Sequence, residues 1–475
     1  MTNVKDLLIS YPDLHHVLSV AGELGQEQNL EIYVVGGVVR DLLLQTPIVE
    51  ADLMVVGDGI EFAKLLAVKL GVKNIVPYKQ FGTAMIPNKP IIVEVASART
   101  EEYNADSRKP TQIQYTDLKG DLLRRDFTIN AMAVDICPEF YGDLHDPFHG
   151  ISDLKKKQLV TPLSPDETFS EDPIRMIRAA YFIAKLNLKI DEYSFMSMKR
   201  QAHRIGIVSK ERVTAELTKI LKTKTPSIGL SLLQDAGLMK HVFPEIDQMY
   251  GLEQAKDWHH KDVFHHTLQV VDNVAKMSDK MELRFAALVH DIAKPRTRRL
   301  DYTKGYTFHG HDEIGARMME KIAKRMKLSN KLKEYLMKMI RLHLRPISLA
   351  KKGVTDSAVR RVMVSAEDDI EDLLMLCRAD ITSKNPHLVK RYLGNFDRVE
   401  AFMLSVREQD KLRAFQSPVR GDEIMEVCGL TEGKIVGKIK TEIENAILDG
   451  EIDNTYEAAH QFMLNVKDDI IAKNS

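Results

Sequence analysis

The chain has 475 residues, which at roughly 150 residues per domain sets an expectation of about three domains. Hydrophobic residues make up 44% and charged residues 28%, which excludes disordered, collagen-like and disulfide-scaffold classes, and three thinly spread cysteines (Cys137, Cys377, Cys428) point to a reducing compartment. The net charge of −1 gives the whole chain no bias toward an acidic partner, and with neither a membrane-length apolar run of about 18 residues nor a basic-then-apolar leader, a cytoplasmic protein is expected.

Residues 31–140 read as mixed strand and helix. The apolar run Ile32-Tyr33-Val34-Val35 enters Gly36-Gly37, a helix begins around Arg40-Asp41, and Asp52-Leu53-Met54-Val55-Val56 is a second strand. A helix over 61–70 and short strands over 74–77, 83–86 and 91–96 complete a small α/β or α+β domain with one sheet. A Gly-Gly turn between strand and helix exposes backbone N–H groups that suit a triphosphate, although most such turns are only tight turns. Glu50 and Asp52 are two apart, so on a strand both carboxylates share a face and can hold divalent metal with phosphate oxygens. Glu94 interrupts the β-branched run Ile92-Val93-Glu94-Val95, where a buried acid needs a partner or a metal. Each carboxylate taken alone reads as an ordinary strand-end acid facing water.

Beyond about Asp166, amphipathic helical spacing dominates and strands are scarce. Seven of 16 histidines (His259, His260, His265, His266, His290, His309, His311) fall within 53 residues, where even scatter would place about two, so a metal site is expected. His290-Asp291 ends an apolar helix, His266 opens an earlier one and Asp380 sits on a later one, which allows one ligand set per helix, with His311 and His343 for a second metal position. His15, His203 and His460 read as surface or packing residues, and Trp258 and the Met-rich helices as core filling. Residues 294–361 carry 19 Lys and Arg against 6 Asp and Glu, a net +13 that leaves the rest at −14. With helical spacing across 321–338, these cations are either solvated helix faces or a polyanion surface.

Four motifs in order, Gly36-Gly37-Val38-Val39-Arg40-Asp41, Glu50-Ala51-Asp52, Leu123-Arg124-Arg125-Asp126-Phe127-Thr128-Ile129-Asn130 and Glu171-Asp172-Pro173-Ile174-Arg175-Met176-Ile177-Arg178, resemble the bacterial-type (class II) tRNA nucleotidyltransferase and poly(A) polymerase family. The likeness covers residues 30–220 and continues through Ser209-Lys210-Glu211-Arg212. It implies a polymerase-beta-like nucleotidyltransferase head followed by a mostly α-helical body, an α+β architecture. It further implies catalysis by Glu50, Asp52 and Glu94 with Mg²⁺, activating a terminal 3′-hydroxyl against the α-phosphate of CTP or ATP. Gly36, Gly37 and Arg40 would frame the triphosphate turn, Arg125, Asp126 and Asn130 the sugar and pocket, and Arg178 and Arg212 the triphosphate. Asp172 and Arg175, three apart on one helix face, would read the base. The family usually has Asp at both metal positions; Glu50 is one methylene longer and still an oxygen ligand, so activity is expected.

The order His266, His290-Asp291, His311, His343, Asp380 resembles the HD phosphohydrolase superfamily, implying metal-dependent phosphoester hydrolysis. The expected layout is a head over 1–160, a helical neck for nucleotide and RNA over 161–250, an HD domain over 251–400 and a helical tail over 401–475, whose glycines (Gly421, Gly433, Gly437) mark helix-pair turns. The leading expectation is addition of CMP and AMP to tRNA 3′ ends. Rivals are a poly(A) polymerase, an enzyme adding only A or only CC, and an HD phosphohydrolase whose head only senses nucleotide. The absence of a long basic tail and the presence of the HD motif lean toward tRNA.

Overall fold

The computed structural model describes residues 2–79, 82–103, 110–253, 262–303, 305–350, 354–383, 385–410, 417–431 and 433–472, with backbone only for 100–103, 110–114 and 407–410. Trp258, His259 and His260 lie outside the described residues, as do Lys304, Lys351 and Lys352 of the basic segment. The chain forms two compact units, Met1–Asp247 and Gln248–Ser475.

In the first unit, eight strands form one sheet in the order Thr2–Asn3, Asp143–His145, Ala133–Asp135, Ile32–Val35, Glu50–Val55, Ile92–Ser97, Thr83–Ile86, Val76–Tyr78. Only Glu50–Val55 and Ile92–Ser97 pair in parallel; the other neighbours are antiparallel. Alternation along the strands separates two faces. Ile32, Val34, Ala51, Leu53, Val55, Val93 and Val95 point to the main core, filled by Leu14, Leu18 and Leu24 from Pro12–Gln28 and Phe62 and Leu66 from Gly59–Lys69. Tyr33, Val35, Met54 and Ala133 point the other way into a smaller cluster with Leu122 and Ala131. The carboxylates of Glu50, Asp52 and Glu94 belong to this second side.

Pro12–Gln28 precedes the stretch 31–140 in which strands and helices were read; its apolar residues recur at helical spacing, Pro12 stands in its first turn and Asn29 ends it in the left-handed conformation. The strand expected over 74–77 forms as Val76–Tyr78 at the sheet edge, the place where Pro77, with no N–H to donate, is tolerated. The strand carrying Glu94 is not buried on both faces as its run of β-branched residues suggested: Val93 and Val95 are buried while Glu94 is exposed. Helices follow from Pro165–Glu171 onward, including Ile174–Leu186 and Lys210–Leu221.

Among its described residues, the second unit's only strand pairing is the small hairpin of Arg299–Asp301 with Gly305–Thr307 and an isolated bridge between Glu253 and Asp262, and its regular elements are otherwise helices. Met281–Val289 is buried nearly throughout (Leu283 to Val289), so it runs through the centre, packed by Val263–Met277, Asn330–Leu342 and Ile370–Ala379. The helical spacing read across 321–338 is in fact two helices, His311–Met326 and Asn330–Leu342. Lys327 ends the first in the left-handed conformation, and the Ser329 hydroxyl caps the second by accepting from Leu332 N. Gly421–Cys428, Lys434–Asp449 and Tyr456–Ala472 enclose a separate core of Ile424, Ile439, Ile443, Ala459 and Met463. No helix among the described residues is long and apolar enough to cross a membrane.

Candidate functional sites

Glu50 and Asp52 lie two apart on one strand, and Glu94 stands in register with Asp52 on its parallel neighbour, so all three carboxylates emerge on one side of the sheet. Burial pushes the Asp52 carboxyl up to about 6; Arg125 pulls it down, Glu94 and Glu50 add to the rise, and Arg40 opposes them. An all-oxygen set of mutually repelling carboxylates suits a hard divalent cation. Sets of three ligand atoms within 4.8 Å of one another occur, among the described residues, only in the second unit, so the head's carboxylates are more widely spaced.

The turn beside them depends on glycine. Gly36 has φ +74°, and a Cβ there would lie 2.6 Å from Arg125 Nη1, so the missing side chain lets this guanidinium lie across the turn. Arg125 is held in place by Asp121, buried to 1%, which also takes Arg124. Asp121 was not singled out from the sequence; its spacing of three and four before the two arginines was the available signal.

Arg40, expected to face phosphate, is instead 4% exposed. It donates to Asn130 Oδ1 (2.5 Å) and Asp41 Oδ1 (2.8 Å), and its guanidinium lies 5.2 Å from the Phe182 ring centroid. Asn130 in turn donates to Asp126, which also accepts from Phe127 N and Arg178. Burial works against the Asp126 carboxylate, but Arg178 and Asn130 hold it below the usual range. Buried Arg40, Asp126 and Asn130 and the partly exposed Arg178 thus form one polar frame against Phe182.

The geometry expected for Asp172 and Arg175 is corrected. Pro173 disfavours helix at the residue before it, so Pro165–Glu171 ends, Asp172 is extended (φ −137°, ψ 98°), and Ile174–Leu186 starts anew. The two residues therefore do not share one helix face. Asp172 accepts from Arg212 Nη2 at 2.7 Å, while Arg175 reaches Glu171 (2.9 Å), Thr168 O (3.1 Å) and Arg124 O (2.6 Å). Arg178 and Arg212, expected to hold triphosphate, are each neutralised by a carboxylate of this chain, Asp126 and Asp172.

In the second unit, all six expected ligands sit at helix ends and come together as two triads, His266, His290 and Asp380, and Asp291, His311 and His343. Asp291 joins them. Its Oδ2 lies 3.2 Å from His290 Nε2 and 3.5 Å from His266 Nε2, and its Oδ1 lies 3.3 Å from His311 Nε2. Nδ1 of His290, His311 and His343 is engaged by the carbonyls of Ala287, Phe308 and Ile340, and Nδ1 of His266 by the Thr382 hydroxyl. Every Nε2 is thereby turned to the centre.

Burial alone would lower His290, but Asp291 and Asp380 hold it up at about 10; burial, with His290 and His311 nearby, pushes His343 down to about 4. His290 Nε2 is buried without a hydrogen-bond partner, which with this N and O donor set fits a divalent metal. Lys294, 2.6 Å from Asp291 Oδ2, and Thr382 were not foreseen; Lys294 is legible only through its spacing of three after Asp291. His265 pairs with its own helix cap Asp262 and, like exposed His309, stands outside the triads.

A mixed sheet with a carboxylate face beside a Gly-Gly turn, and a separate bundle with a histidine-aspartate centre, define a nucleotidyltransferase head combined with an HD-type unit. Residues 32–160 match the Poly A polymerase head domain, 187–250 the probable RNA and SrmB-binding site of polymerase A, and 263–385 the HD domain. The multifunctional CCA protein of Shewanella frigidimarina (strain NCIMB 400) is 34% identical over 319 residues, covering 64% of this chain and 72% of that protein. Two solved structures share the fold. The CCA-adding enzyme in apo form II has a TM-score of 0.65 at 23% identity over 98% of this chain and 99% of that one. The Thermotoga maritima CCA-adding enzyme complexed with tRNA has 0.60 at 21% over 100% and 99%. The chain belongs to the tRNA nucleotidyltransferase and poly(A) polymerase family and carries an HD domain.

Proposed function

We propose that this protein transfers CMP and AMP from CTP and ATP to the 3′ end of tRNA, building or repairing CCA. The observation that carries the reading is the in-register face of Glu50, Asp52 and Glu94 beside the Gly36 turn and Arg125. In this reading the 3′-hydroxyl oxygen bonds to the α-phosphorus, the bond to the bridging oxygen breaks, pyrophosphate leaves, and the hydroxyl proton passes to a carboxylate of the set. Mg²⁺ held by Glu50 and Asp52 supplies charge neutralisation at the reacting phosphate. Gly36 and Gly37 leave room for the triphosphate, Arg125 lies across it, and Arg40, Asp126 and Asn130 keep the turn and pocket wall in position. Asp172 and Arg175 read the base edge once Asp172 is released from Arg212, and Arg178 and Arg212 then face phosphate. The working division remains head 1–160, neck 161–250, HD domain 251–400 and tail 401–475, in a cytoplasmic protein.

The test is incubation of purified protein with tRNA lacking its terminus, Mg²⁺ and single nucleotides. Addition of two C from CTP and one A only after them supports the reading. A long A tract, A alone, or CC alone would each transfer it to the corresponding rival, and no incorporation with intact hydrolysis would leave a sensing head.

The two triads favour a second activity in the same chain, metal-dependent hydrolysis of a phosphate ester, in which His266, His290, Asp291, His311, His343 and Asp380 hold divalent metal. Release of phosphate from a generic phosphoester, abolished by chelation and by His290→Ala, tests it.

A further inference from the structure

The 19 cations of residues 294–361 do not behave alike. Lys294, Arg317, Lys338, Arg341, Arg360 and Arg361 are each ion-paired within the second unit. At the tip of the hairpin formed by His311–Met326 and Asn330–Leu342, the 13 residues from 321 to 333 contain six Lys and Arg and no Asp or Glu. Among the described residues, Lys321, Lys324, Lys327, Lys331 and Lys333 have no carboxylate partner, and all but half-buried Lys333 are exposed. These five described cations gather where two helices meet across a three-residue turn, and within a segment that short the screening length of about 8 Å lets the charges act together.

We propose that this hairpin tip is a contact surface for the phosphate backbone of RNA, the tRNA body in the reading above, on which the identity of the RNA rests. The side chains decide the class of partner. Ile322, Ala323 and Met326 are buried inside the hairpin, and the exposed residues are Lys, Ser and Asn. A membrane-surface helix needs an exposed apolar face, and a protein interface an apolar or aromatic centre; this tip offers neither. It offers flexible cations about 5 to 6 Å apart at three-residue spacing, which suits sequence-independent phosphate contacts. Its placement is separate from the histidine-aspartate centre. His311 begins the first helix of the hairpin and His343 caps the second, so the tip stands at the far end of 16 residues, about 24 Å along the axis. Charge changes there leave the metal ligands untouched.

The experiment compares tRNA binding by the full chain and by two triple variants, Lys321→Gln/Lys324→Gln/Lys331→Gln and the corresponding charge reversal to Glu, across 50 to 200 mM salt. Three lost phosphate contacts should flatten the plot of log affinity against log salt by about 2.7, so that the affinity lost over this fourfold salt range shrinks by about 40-fold. Charge reversal should weaken binding further, with metal content unchanged. Identical slopes for wild type and both variants, with tRNA still bound, would overturn the proposal and leave the nucleotidyltransferase reading standing. Failure of the wild type itself to bind any tRNA would remove both. Loss of binding to phosphatidylserine vesicles with an unchanged tRNA slope would overturn it in favour of a lipid surface.

Discussion

Replacing Asp126 with Ala removes the carboxylate on which the head's buried frame converges. Asp126 is 8% exposed and accepts from Arg178, Asn130 Nδ2 and Phe127 N. Breaking a buried pair from one side costs about 3 to 5 kcal/mol because the remaining charge is left unpaired. Arg178 is 31% exposed and keeps Glu216 at 3.8 Å, so the lower end applies, about 3 kcal/mol. Hydrogen exchange resolved by peptide is the suitable assay, since the single tryptophan, Trp258, lies outside the head sequence and offers no fluorescence probe there. Peptides from Ile174–Leu186 and the residues around Thr128–Asn130 should exchange about 150-fold faster under conditions where opening is at equilibrium. Asp126→Asn adds a pH test. The native carboxyl lies below its ordinary value, so its contribution is complete above the unfolded pKa near 4 and is lost as pH falls through the native one. The gap between wild type and Asp126→Asn should therefore be constant near neutrality and close in acid. Unchanged protection in the Ala variant, or a gap that widens in acid, would refute the reasoning.

Asp52→Ala should abolish nucleotide incorporation while leaving metal content of the second unit unchanged, and Glu50→Asp should retain transfer because an oxygen ligand is kept; both are read by labelled CTP and ATP incorporation. Asp172→Ala should relax selection of CTP and ATP over UTP and GTP by about 1 to 3 kcal/mol, measured as ratios of kcat/KM. Gly36→Ala places an alanine at φ +74°, ψ −129°, backbone that glycine alone adopts freely, and displaces Arg125, so it should lower stability by about 1 to 3 kcal/mol in thermal melts and lower kcat as well. His343→Ala should reduce bound metal, counted by elemental analysis, without altering tRNA binding.

What the sequence made legible follows the range of the interactions. Adjacent or periodic residues announced themselves: the strand Ile32–Val35, the Glu50 and Asp52 pair, and the six histidines and aspartates of the HD pattern, whose residue types and order are read directly from the chain. Contacts that close over long separations did not. Thr2–Asn3 joins the sheet through Asp143–His145, about 140 residues away, and Thr382 reaches His266 across 116 residues. The shared helix face expected of Asp172 and Arg175 failed for another reason, because helical spacing was carried across Pro173, whose ring interrupts it. Arg40 and Arg178 were placed at the nucleotide by the resemblance, and in this structure internal carboxylates and Asn130 already engage them. Charge alone does not reveal whether a cation is already neutralised.

The central claim is tested most directly by sequencing the 3′ ends of tRNA after incubation of a terminus-lacking transcript with the protein, CTP, ATP and Mg²⁺, alongside Asp52→Ala. The account predicts C, C and A in that order, then termination, with no added nucleotide in the variant. Unextended ends with active, correctly folded protein, or CCA ends made equally well by Asp52→Ala, would contradict it.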